Sequence, residues 1–129
     1  MKRQIIKVNN MSFKFEDNYL FKDFNLEIEE SSFVSIIGMN GSGKSTLAKI
    51  LIGLYKAEGY ITIDGYLLND FYMKKIRREF SVCFDNADNH FIGETVKDDL
   101  AFTLENLEYS KKEMTSSINM IAKKFKLED

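Results

Sequence analysis

The chain has 129 residues, 44% apolar and 29% charged, and a formal net charge of −2. That is enough length for one domain with a core, and too little positive charge for a broad nucleic-acid surface. Its single cysteine, Cys83, excludes an intrachain disulfide, no segment is long enough to cross a bilayer, and the start MKRQIIKVNN carries no apolar leader-like run. These features predict a cytoplasmic protein folded as one domain over residues 1–129, with no nucleic-acid partner.

The first third reads as strands: QIIKV (4–8), MSFKF (11–15) and FNLEI (24–28), the last with Phe24, Leu26 and Ile28 alternating with polar neighbours. FVSIIG (33–38) is nearly continuous apolar sequence, as in a strand covered on both faces. It runs straight into GMNGSGKST (38–46). There Gly38, Gly43, Lys44 and Ser45 meet the signature G-x-x-x-x-G-K-[ST], with Asn40, Gly41 and Ser42 inside it. The glycines let successive amides turn inward as an anion-binding nest, and the positive end of the following helix adds to the attraction. In such a loop Lys44 reaches the β- and γ-phosphates, Ser45 offers its hydroxyl to Mg²⁺, and Thr46 sits near the α-phosphate. Leu47, Ile50, Leu51 and Leu54 recur at helical spacing, predicting a helix that ends near Gly53.

GYITIDGYLL (59–68) places Asp64-Gly65 between two short alternating runs, a tight-hairpin signal. DFYMKKIRREF (70–80) reads as a short exposed helix whose Lys74, Lys75, Arg77 and Arg78 form a solvated face. FSVCF (80–84) reads as a further buried strand, with Cys83 a small apolar residue inside it. Thr95 with Asp98, and Ser110 with Glu113, have the spacing of helix N-caps. Behind the second cap Met114, Ile118, Ile121 and Phe125 share one face.

The phosphate loop and its flanks resemble the ATP-binding cassette ATPases, and among them the ATPase subunits of energy-coupling-factor and cobalt-type importers. MSFKF resembles the family's first-strand motif, which implies that Phe15 is the aromatic platform under adenine; from the residues alone, Phe15 reads as a core strand aromatic. GYITIDG is similar to the family's hairpin after the phosphate-loop helix. FDNADNHFIGETVKDDLAFTLENL (84–107) is similar to the importer-type Q-loop and its helix, with Asp85 where the family has a glutamine that touches Mg²⁺. Ala87 and His90 stand where proline and glutamine are usual, and His90 itself reads as an exposed loop residue.

The resemblance implies an α/β fold: a P-loop NTPase-type core with an N-terminal antiparallel β subdomain. It implies ATP and Mg²⁺ as cofactors, and as partners a second ATPase subunit and a transmembrane transporter subunit that holds the protein at the cytoplasmic face of the membrane. The family's signature motif, its apolar strand ending in Asp and Glu, and its switch histidine have no counterpart in residues 1–129. The expected fold is therefore incomplete, with 33–38 and 80–84 short of sheet neighbours and prone to self-association. The expected activity is ATP binding without hydrolysis. A stand-alone nucleotide-binding or regulatory module and a non-functional remnant are the alternatives.

Overall fold

The apolar positions at the start of the chain build one long hairpin. In the computed structural model, which describes residues 2–79, 81–83, 93 and 95–127, β1 (Gln4–Phe15) pairs antiparallel with β2 (Asn18–Glu29). The runs 4–8 and 11–15, read as separate strands, are one strand. Asn10 takes a left-handed conformation (φ 49°). Its N–H donates to Asn25 Oδ1 at 2.9 Å, so the chain bulges without leaving the sheet. The bulge resets the two-residue alternation, and Val8 and Met11, three apart, are both fully buried. The run 24–28 is part of β2, which extends back through Phe21 and Leu20.

β3 (Glu58–Ile63) pairs with the other edge of β1, and β4 (Tyr66–Leu67) pairs with β3, giving the order β2-β1-β3-β4. Asp64 and Gly65 form the two-residue turn with φ 51° and 80°, the primed geometry that matches the strand twist. α1 (Lys44–Leu51) packs Leu47 and Ile50 against Val8, Met11 and Ile61. Each such buried side chain contributes about 1.5–3 kcal/mol. The helix ends as its sequence predicts: Gly53 takes φ 74°, its N–H donates to Ile50 O at 2.9 Å, and Leu54 N–H donates to Lys49 O at 2.8 Å. Leu54, expected on the apolar stripe, lies beyond this cap and is exposed. The charged segment keeps only one helical turn, α2 (Met73–Ile76), with Ile76 buried beneath an exposed basic surface.

Among the described residues, neither expected strand 33–38 nor expected strand 80–84 is formed. Residues 32–39 have no regular structure, with Phe33 96% and Ile37 92% exposed. Residues 81–83 are likewise irregular, and Cys83, expected to be buried, is exposed. A strand exists only through the ladder bonds of a neighbour, and among the described residues the single sheet ends at β2 and β4 without reaching either run.

The described residues form two units that divide between Ser81 and Val82. The second contains α3 (Val96–Asn106), capped by Thr95 Oγ1 accepting from Asp98 N–H at 3.1 Å, and α4 (Lys111–Phe125). Both caps are where the spacing predicts. Along α4 Ile118 is buried and Met114 and Ile121 are half-buried. Phe125, in the last turn before the left-handed C-cap at Lys126 (φ 56°), is exposed. Glu113 accepts from both the N–H (2.9 Å) and the Oγ (2.6 Å) of Ser110, which hold its carboxyl below the usual 4.5. A group with a depressed folded pKa contributes stability above its unfolded value, and that contribution is lost as pH falls through the folded one. Amide exchange at Ser110 and Glu113 is expected to accelerate as pH falls below 4.5, beyond the intrinsic pH effect, and Glu113→Gln should abolish that acid-dependent component. An identical acid response in the variant would show that this carboxylate is not the titrating group.

Candidate functional site

The phosphate-loop residues are held on one side by an apolar run without sheet contacts and on the other by α1. What shapes the loop is local. Lys44 Nζ donates to Gly38 O at 2.7 Å and Met39 O at 2.8 Å, and Ser42 N–H donates to Met39 O at 3.2 Å, so the loop closes over the lysine. Gly43, the N-cap of α1, takes φ 96°, where a side chain is strained. A Cβ there would also lie 2.8 Å from Phe21 Cζ and 3.2 Å from Leu20 Cδ2. Gly43 is thus fixed by both its own backbone and the strand it packs against.

The start of α1 has no side-chain cap and no acidic residue in its first turn. Its leading amides therefore keep their positive character for an external anion. Gly41 (φ 83°) precedes them, and Asn40, Gly41, Ser42 and Ser45 are exposed, with Lys44 and Thr46 half-buried. The expected loop residues 38 and 40–46 are thus brought to one place. For Mg²⁺, Ser45 presents an exposed hydroxyl in the first turn of α1. Since that ion keeps several waters and takes only one or two protein oxygens beside substrate phosphates, a single hydroxyl at the loop mouth fits it. Asp85, the other expected metal ligand, lies outside the described residues, as do Ala87 and His90. Among the described residues no group of three His, Cys, Asp or Glu could hold a metal ion.

Phe15 sits at the end of β1, 49% exposed, and not in the core as its strand position alone suggests. Its place relative to the loop follows from the hairpin register. Phe21, which underlies Gly43, is the cross-strand partner of Phe13. Phe15 is two residues further on, about 7 Å along an extended strand. Three residues near it escaped the sequence reading: Phe13, Tyr55 and Lys49. Phe13 and Tyr55 rings stack at 5.6 Å, Phe15 stands at 89° to both, and Lys49 Nζ lies 5.6 Å from the Tyr55 centroid. The spacing Phe13-x-Phe15 was the available signal, because residues two apart share one face of a strand.

The model of the ABC transporter family matches residues 21–129. The chain belongs to the ABC transporter family. It is 41% identical over 128 residues to the energy-coupling factor transporter ATP-binding protein of Mesomycoplasma hyopneumoniae strain 7448, covering 96% of this chain and 47% of that protein. It is 43% identical over 129 residues to the corresponding protein of Pediococcus pentosaceus, covering 97% and 46%. Among solved structures it is similar to CbiO1 of Clostridium perfringens, part of the ABC transporter complex CbiONQ, with a TM-score of 0.77 and 26% identity, covering 93% of this chain and 49% of that one. This agrees with the mixed α/β fold and its antiparallel sheet. The chain spans about half the length of the curated ABC relatives it matches. No helix among its described residues is long and apolar enough to cross a membrane.

Proposed function

We propose that this chain binds ATP through Gly38 and residues 40–46, as part of an ATPase subunit of the energy-coupling-factor type that energises import of a small substrate. The observation that carries the reading is the closure of the loop around Lys44, whose ammonium spans the Gly38 and Met39 carbonyls beside a helix start left open to an anion. On binding, the ammonium exchanges two carbonyl acceptors for phosphate oxygens, so it is satisfied in both states. The loop amides hold the phosphates, Phe15 stacks the base, and the Ser45 hydroxyl, with Asp85 carried over from the resemblance, holds Mg²⁺. That ion, when bound, neutralises phosphate charge.

The loop supplies donors and no general base. The reading therefore assigns binding without turnover to residues 1–129, in which the signature motif, acidic strand and switch histidine have no counterpart. Its partners are a second ATPase subunit and a transmembrane subunit at the cytoplasmic face. Titration with a fluorescent ATP analogue and Mg²⁺ should give saturable binding, with phosphate release at the buffer rate. Absence of saturation sinks the binding reading, and release above the buffer rate sinks the non-catalytic one.

A further inference from the structure

The base platform does not stand alone. Phe13 and Phe15 share a face of β1, and the Tyr55 ring comes from the turn that follows α1 and stacks on Phe13 at 5.6 Å with the planes 16° apart. Phe15 stands perpendicular to both, 5.0 Å from Phe13 and 5.9 Å from Tyr55, and still keeps half its surface open. Edge-to-face packing of this kind is directional, so two perpendicular neighbours fix the plane of a ring where one would let it pivot.

Tyr55 is itself tied to the helix that begins at the phosphate loop. Its N–H donates to Lys49 O at 3.3 Å, and the Lys49 ammonium lies 5.6 Å from its ring centroid, within cation–π range. The helix of the phosphate loop and the exposed aromatic of the hairpin are thereby joined through one side chain.

We infer that Tyr55 is a positioning residue that sets Phe15 at a fixed orientation and distance from the phosphate loop for stacking a nucleobase. The assignment rests on the nucleotide-binding reading above. It is specific to the base: phosphate contacts come from residues 38–46 and do not pass through Tyr55. Without its ring, Phe15 keeps Phe13 on one side only and must be ordered by the ligand, which weakens stacking.

The test is calorimetric titration of the chain, Tyr55→Ala and Tyr55→Phe with ATP and with inorganic triphosphate, each with Mg²⁺. Tyr55→Ala should weaken ATP about tenfold, the scale of one base-stacking contact, and leave triphosphate affinity unchanged. Tyr55→Phe, which keeps the ring and loses only the hydroxyl, should restore ATP binding. Retained triphosphate binding also reports that the alanine variant is folded at the loop. Equal losses for both ligands would make Tyr55 a structural residue and overturn the inference, as would an ATP affinity unmoved by Tyr55→Ala. If the parent chain binds both ligands equally, the base platform is wrong while the phosphate loop stands. If it binds neither, the nucleotide-binding reading falls and this inference with it.

Discussion

Lys44→Ala is expected to weaken ATP binding at least about a hundredfold, since two or more charge-assisted hydrogen bonds to phosphate are lost at once. The effect has a second source. Residues 32–39 form no strand, so the polypeptide entering the loop has no sheet to hold it, and Lys44 is what gathers Gly38 and Met39 toward α1. Alanine removes both the phosphate contact and the brace that keeps the loop closed before phosphate arrives. Lys44→Arg should not rescue binding, because a planar guanidinium cannot place one compact charge between two carbonyls as the ammonium does. The measurement is the same fluorescent-nucleotide titration, with the melting temperature as a control. Lys44 contributes nothing to the buried cluster of Val8, Met11, Leu47, Ile50 and Ile61, so the fold should melt nearly as before. An alanine variant that binds within about threefold of the parent would mean that loop amides alone hold the nucleotide.

The parts of this molecule legible in the sequence are those whose cause is local. Asp64-Gly65 carries its turn geometry in its own backbone preference, Ser110 and Glu113 cap each other across three residues, and Gly41 and Gly43 of the loop adopt φ values that few other residues accept. Elements whose cause is remote were misread. FVSIIG has the composition of a buried strand, but composition states only what the run does when a partner is present. Cys83 follows the same pattern: its expected burial depends on a strand, and residues 81–83 are irregular and the thiol-bearing residue is exposed. The separation of runs 4–8 and 11–15 fails in the opposite sense: the hydrogen bond that carries one strand across Asn10 as a bulge comes from Asn25, on the neighbouring strand. The Phe13, Phe15 and Tyr55 cluster combines both kinds: the alternation on β1 is visible locally, whereas Tyr55 arrives only because α1 folds back over the sheet.

The bulge at Asn10 leads to the largest expected effect on stability. Gly59 on β3 lies directly against it, with φ 108°, and a Cβ added there would fall 2.6 Å from Asn10 O, 2.8 Å from Met11 Cα and 3.0 Å from Asn10 C. All three atoms are backbone and cannot rotate away as a side chain would. Relief would require β1 and β3 to separate where their register already shifts between Asn9 and Ser12, and that would pull fully buried Met11 off Ile61 and α1. The cost joins a strained backbone to an overpacked contact, and Gly59→Ala is expected to destabilise the chain by about 2–4 kcal/mol. Denaturant unfolding should show a lower midpoint, with the earliest loss of amide protection at Tyr60 and Ile61. Gly65→Ala is the matched control: its φ is also positive at 80°, but a Cβ there meets nothing within 4 Å. It should therefore cost only the turn strain, about 1 kcal/mol. If the two variants melt alike, backbone conformation alone accounts for Gly59, and the close packing of β3 on the bulge contributes nothing to stability.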